Sequence, residues 1–252
     1  LYQAVVQQGR QLDEALEARD GTEALEPRDA AFSHAVAAAA LRHHGQLTVI
    51  LAGLLQKPLP RSAGPTQAIL LLGLAQLLVL RASAPAAINL SVELARQDRH
   101  AAHFTGLVNG VLREAQRRQP ALGNPRLNLP QWLQSRLDQT YGPETTDAIA
   151  AAHTNEAAVD VSARQDAAGW ASRLHGDLLP TGTIRLAGEE RGITALPGFA
   201  EGAWWVQDAA AALPVKLLGQ ALAGLTALDL CAAPGGKTAQ LAFVDQSRQS
   251  LA

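Results

Sequence analysis

The 252-residue sequence contains no methionine, even at its first position, and a single cysteine, Cys231. One cysteine excludes an intrachain disulfide framework and suits a reducing compartment such as the cytosol. The opening LYQAVVQQGRQLDEAL is too polar for the apolar core of a secretory signal. The longest apolar run, Ala68 to Leu80, is interrupted by Gln76 and falls short of the roughly 20 residues that a membrane span needs. A buried helix and a soluble, non-membrane protein are therefore expected. Aromatic residues are scarce at 4%, and charged residues make up only 17%. Hydrophobic residues, at 48%, are ample for a packed core. The missing initiator suggests that the sequence is part of a longer translation product.

A formal net charge of −2 hides an uneven distribution. Residues 31–120 carry nine basic side chains against three acidic ones, with five histidines besides. Such a local excess attracts phosphate, although it is also compatible with an ordinary solvated helical surface. Helical punctuation dominates this half. PRDAAFSHAVAAAALRHHG runs from a first-turn proline to Gly45, read as its terminator; PTQAILLLGLAQLLVL is apolar nearly all round; PAAINLSVELARQ opens at another proline. In AAHFTGLVNGVLREAQRRQ, residues Phe104, Leu107, Val108, Val111, Leu112 and Ala115 form one stripe, leaving Arg113, Arg117 and Arg118 outward. These arginines are the candidate phosphate contacts.

The stretch LGNPRLNLPQ, without periodicity, reads as the start of a linker, followed by helices near 131–140 and 144–153. The pattern then changes. AVDVSAR, GTIRL, GITAL and AWWVQD read as strands, DAAGWASRLHG as a short helix, and DAAAALPVKLLG as a helix capped by Asp208. In the Trp204–Trp205 pair one ring should be core; the other either packs or stacks on a base. LTALDL reads as an apolar strand leading into CAAPGG and a helix start, KTAQLA. The histidine pairs His43/His44 and His100/His103 lack the cysteine or carboxylate company of a metal site, so no metal is expected.

The turn after LTALDL has the composition of a ligand loop. Gly235 and Gly236 permit positive φ and close approach, and first-turn amides favour an anion. A P-loop would need glycine at position 231, where Cys231 stands, and the dinucleotide spacing G-x-G-x-x-G is absent. A methyl-donor site, with Asp229 at the strand end, and a plain tight turn remain.

LDLCAAPGGKT resembles motif I of the Sun (Fmu) family of RNA 5-methylcytosine methyltransferases. LPGFAEGAWWVQDAAAALPVKLLG resembles the segment before that motif in the bacterial branch that acts on small-subunit ribosomal RNA. The helical half, through PRDAAFSHAVAAAALRHHGQL, LLQKPLP, AILLLGLAQLLVL, AINLSVELAR and GLVNGVLRE, resembles that branch's NusB-type RNA-binding domain. The likeness is collinear over almost the whole chain. It implies an all-α NusB-like bundle followed by an α/β Rossmann-like methyltransferase domain, incomplete here. The implied boundaries are 1–122 for the bundle, 123–155 for a helical linker, 156–205 for a small α+β subdomain and 206–252 for the start of the Rossmann-like domain.

The resemblance further implies S-adenosyl-L-methionine held by Cys231, Ala232, Ala233, Pro234, Gly235, Gly236 and Lys237, with Asp245 on the ribose hydroxyls. The substrate would be a cytosine of small-subunit ribosomal RNA, methylated at carbon 5 in the cytoplasm by a monomer. The family attacks carbon 6 with a cysteine thiolate and uses a second cysteine for release. Neither matches a position here, and Cys231 belongs to the cofactor turn, so no catalytic residue is assigned. The alternative is a non-catalytic NusB-like RNA-binding or antitermination factor. A parallel crossover takes about a dozen residues, whereas KTAQLA before the strand-like FVD supplies six. Residues are therefore expected to be absent between Ala242 and Phe243, and again after Ala252.

Overall fold

The computed structural model describes residues 1–17, 26–187, 192–222 and 225–246. They form two compact units, Leu1–Asn155 and Glu156–Ala252.

The first unit is helical: α1 (Tyr2–Gln8), α2 (Leu12–Glu17), α3 (Pro27–Arg42), α4 (His44–Leu54), α5 (Thr66–Leu74), α6 (Ala84–Gln97), α7 (Thr105–Arg118), α8 (Gln131–Tyr141) and α9 (Pro143–Ala152). Proline within the first turn of α3, α6 and α9 sets φ where no amide partner is needed. The all-apolar α5 is the bundle's centre, with Ile69, Leu70, Leu71 and Leu74 at most 3% exposed. It continues into a π-helical turn, Ala75–Val79. Gly73 lets α6 and α7 close on it: a Cβ there would stand 2.7 Å from Leu112 and 2.8 Å from the Ser91 hydroxyl. The α7 stripe buries Val108, Val111, Leu112 and Ala115, while Leu107 stays at the surface.

One expectation needs correction in this unit. Gly45 does not end a helix. The break falls at His43, and Gly45 lies inside α4. Its role is close approach, because Leu127 and Asn128 of a 3-10 turn (Pro125–Asn128) pass where a side chain would be. That turn is held by Gln46. Its backbone N–H donates to Asn128 Oδ1 (3.0 Å), and its Nε2 donates to Gly123 O (2.8 Å). Asn128 Nδ2 donates back to Gln46 Oε1 (2.9 Å). The stretch read as the start of a linker is thus packed on α4, because its backbone polar groups find partners there.

The second unit is built on a four-stranded sheet of order β2-β3-β1-β4, antiparallel throughout. Its strands are β1 (Asp160–Ala163), β2 (Asp177–Leu178), β3 (Ile184–Arg185) and β4 (Trp204–Val206); its helices are α10 (Ala167–Arg173), α11 (Ala209–Leu218) and α12 (Gly236–Gln246). Asp160 lies opposite Arg185, Val161 opposite Ile184, and Ser162 opposite Trp205. Strand alternation therefore gives two unlike faces. Val161, Ile184 and Trp204 pack with Ala171 and Leu174 into an apolar core, and Trp204 Nε1 donates to Pro197 O (2.8 Å). The opposite face carries Asp160, Ser162 and Trp205.

GITAL, expected as a strand, contains a 3-10 turn at Ile193–Ala195. LTALDL pairs with no described strand, and Leu225, Leu228 and Leu230 are 66–86% exposed. A strand needs a partner edge for its amides, and none of the described residues offers one. FVD lies in the last turns of α12 rather than in a strand, and that helix runs unbroken through Ala242 and Phe243. Phe243 stacks on Trp205 with centroids 5.5 Å apart, and Arg164 lies 4.6 Å over its ring. The helical course gives the phenyl ring a packed place. Among the described residues no parallel strand pair occurs.

Candidate functional site

The turn from Asp229 to the start of α12 is clasped by one carboxylate. Asp229 Oδ1 accepts the Cys231 backbone N–H (3.0 Å), and Oδ2 accepts the Thr238 hydroxyl (2.7 Å). Cys231, Ala232, Ala233, Pro234 and Lys237 are exposed, while Gly235 and Gly236 are half-buried. Gly235 has φ +115°, which only glycine adopts readily, and its Cβ direction opens onto space with nothing within 4 Å. Gly235 O accepts from Ala239 N (2.8 Å), so the amides of Gly236, Lys237 and Thr238 are first-turn donors without intrahelical acceptors. An open glycine cradle in front of three such amides fits a carboxylate or another small anionic group.

Asp245 falls in α12, two turns beyond Thr238. The thiol of Cys231 is free and exposed. Among the described residues no group of three histidine, cysteine, aspartate or glutamate side chains is placed to hold a metal ion, and no helix is long and apolar enough to cross a membrane. The reading of the residues missed two participants in this turn. Thr238, inside the GKT string, is the clasp's second anchor. Gln207, next to Asp208, lies against Gly236. Asp208 itself caps α11, accepting the Ala210 (2.8 Å) and Ala211 (3.0 Å) amides.

On α7 of the first unit, Arg113, Arg117 and Arg118 are all exposed. Arg117 and Arg118 both reach back to the Glu114 carboxylate, and Arg113 Nε donates to Asn109 Oδ1 (3.1 Å). Hydrogen bonds from Arg117 first, and from Arg118, hold the Glu114 carboxyl below its ordinary range. The cluster is therefore less positive than three arginines, since Glu114 offsets one charge. Arg81, two residues beyond the π-helical turn, shares a cavity of about 200 Å³ with Gln116 and Gln119. The fold thereby adds a fourth arginine near the end of α7. Glu114 was readable from its i, i+3 and i, i+4 spacing; Arg81 had no local signal.

The NusB family model matches residues 1–117. A protein named ribosomal RNA small subunit methyltransferase B from Vibrio vulnificus is 35% identical over 100% of this chain and 62% of its own length. One of the same name from Xanthomonas campestris is 36% identical over 94% of this chain and 56% of its own length. A Synechocystis protein named as a probable member of that group is 32% identical over 86% of this chain and 53% of its own length. The chain thus spans between about half and three-fifths of the curated relatives it matches. Residues 1–117 thus match the NusB family model, in a chain similar over most of its length to proteins named ribosomal RNA small subunit methyltransferase B.

Proposed function

We propose that this chain is part of an S-adenosylmethionine-dependent enzyme that methylates carbon 5 of a cytosine in small-subunit ribosomal RNA. It would act as a cytoplasmic monomer, with residues 1–122 binding RNA and 123–155 leading to the methyltransferase part. In that part, 156–205 form the small subdomain and 206–252 open a Rossmann-like domain. The observation that carries this reading is the glycine turn, with its open cradle and first-turn amides that lack intrahelical acceptors, in a chain collinear with rRNA methyltransferases.

The bound cofactor would supply an electrophilic methyl group. The residues that would hold it are Cys231 to Lys237 and Asp245. Gly235 keeps side-chain bulk out of the cradle, the Gly236 and Lys237 amides receive the carboxylate, and Asp229 with Thr238 keeps the turn closed. Asp245 is assigned to the ribose hydroxyls. Cys231 stands exposed in the turn and is given no chemical role, and the covalent step at carbon 6 is assigned to other cysteines.

Calorimetry of the full-length gene product with S-adenosylmethionine tests this directly. One-to-one binding is expected. Cys231→Ala should change affinity by less than tenfold, because the thiol donates nothing to the turn's hydrogen bonds. Gly235→Val should lower it by more than tenfold, because φ near +115° strains a β-branched residue. Absence of binding by the wild type would overturn the reading and leave the RNA-binding factor in its place.

The helical domain makes its own prediction. Replacing Arg113 alone by Gln should lower the slope of log affinity for ribosomal RNA against log salt by about 1. Replacing Arg113, Arg117 and Arg118 together should lower it by less than about 3, because Glu114 already holds two of them. An unchanged slope in the triple variant refutes the assignment.

A further inference from the structure

Gln207 closes the strand ladder and is only 6% exposed. Its backbone N–H donates to Asp160 O (2.9 Å), one step beyond the β1–β4 pairs. Its side chain is held at both ends. Oε1 accepts the Trp205 indole N–H (2.9 Å), and Nε2 donates to Gln240 Oε1 (2.7 Å). Gln240, 8% exposed on α12, passes the chain on through Nε2 to Ala212 O in α11 (3.2 Å). Each amide is thereby oriented by its neighbours. Flipping Gln207 would set its NH₂ against the indole N–H, donor against donor, and break both bonds.

The same side chain supports the start of α12. A Cβ on Gly236 would stand 3.3 Å from both Cγ and Cδ of Gln207. The first residue of that helix therefore rests on the Gln207 amide, with the Gly235 cradle immediately before it. The relay Trp205–Gln207–Gln240–Ala212 ties β4, α12 and α11 together at the level of the glycine turn. Trp205 is steadied by its stack with Phe243.

We propose that Gln207 is the positioning residue of the cofactor turn, fixing where the first-turn amides of α12 stand and so setting the affinity for the anionic end of the methyl donor. The ligand half of this statement rests on the proposed function; the positioning half does not. The three heavy atoms nearest to the Gly236 Cβ position all belong to Gln207.

The test uses Gln207→Met, which keeps bulk under Gly236 but removes both side-chain hydrogen bonds, and Gln207→Ala, which removes both bulk and bonds. Hydrogen exchange on the ligand-free, full-length protein reads the Ala239 amide, whose acceptor is Gly235 O. Exchange at Ala239 should accelerate at least tenfold in Gln207→Met, while the slowest-exchanging amides of β1 keep their rates. S-adenosylmethionine affinity should fall at least tenfold in the same variant. Gly236→Ala should weaken binding less in the Gln207→Ala background than in the wild type, since the truncated side chain leaves room for the added methyl. Unchanged Ala239 exchange in Gln207→Met would overturn the inference, as would wild-type affinity in both Gln207 variants. Faster exchange in a protein whose wild type binds no S-adenosylmethionine would uphold the positioning role and reject the cofactor reading.

Discussion

Gly45→Ala should destabilise the helical unit by about 3 kcal/mol or more, although it adds one methyl group to a helix interior where alanine is intrinsically favoured. The methyl carbon would stand 1.7 Å from Leu127 O, 2.3 Å from Leu127 C and 2.9 Å from Asn128 N. These are backbone atoms, so no rotamer change relieves them. Relief requires the turn Pro125–Asn128 to leave α4. That movement breaks three hydrogen bonds between Gln46 and the segment 123–128, each worth about 1 kcal/mol net, and leaves the buried Gln46 side chain with His43 as its remaining partner. Urea denaturation followed at 222 nm reads the loss, and proteolysis should begin to cut between 123 and 130. Leu127→Ala is the control. Its side chain is 44% exposed, so its cost should stay under about 1 kcal/mol. If Gly45→Ala is as stable as wild type, the turn is not docked on α4.

That glycine shows what a sequence can and cannot disclose about this fold. A glycine after two histidines has the appearance of a helix terminator, and α3 does end within three residues of it. The reason it is glycine lies 82 residues away, where Leu127 and Asn128 cross α4, and no local pattern reports a contact at that separation. The α7 stripe was legible because a 3.6-residue period depends only on which face is buried. LGNPRLNLPQ was not, because its order comes from polar pairing with Gln46 rather than from any period.

In the second unit the alternating segments around Val161, Ile184 and Trp204 were readable, since one face of each meets the core. LTALDL and FVD have strand composition too, but pairing is a property of neighbours. Without a partner edge among the described residues, Leu228 and Leu230 remain exposed, and Phe243 takes a helical place against Trp205. At the candidate site, glycine density predicted the positive φ of Gly235. Asp229 was noticed as a strand-end acid, yet its two oxygens serve the turn itself, through Cys231 N and Thr238. The backbone geometry of the turn was local and legible; the packing of Gln207 on Gly236 and its hydrogen bond to Gln240 were not.

Asp160→Ala should cost the second unit about 3 kcal/mol, and Asp160→Asn about 2 kcal/mol. The Asp160 side chain is 1% exposed and accepts two hydrogen bonds from Arg185, at 2.8 Å to Nε and 3.0 Å to Nη2, plus the Ala209 amide at 3.1 Å. One carboxylate thus joins β1, β3 and the first turn of α11. Truncation leaves the Ala209 amide and part of the guanidinium without acceptors. Arg185 is 46% exposed and regains water, which keeps the loss near the lower end of the range for broken buried pairs. Asparagine keeps the shape, but its NH₂ must face an N–H donor. The acid dependence separates charge from shape. The Arg185 guanidinium, then the Ala209 amide, hold the Asp160 carboxyl below its ordinary value against the opposing effect of burial. The folded state therefore binds fewer protons than the unfolded one. The stabilisation is fully present above the unfolded pKa of about 4 and is lost as pH falls through the lower folded value. The stability gap between wild type and Asp160→Asn should be constant from about pH 7 to 5 and shrink below about pH 4, read by denaturant titration with tryptophan emission in a Trp132→Phe background, which leaves only the second unit's tryptophans. A gap that persists undiminished at pH 2 would mean that the carboxylate's charge contributes nothing, and that Asp160 serves only as an acceptor of the right size.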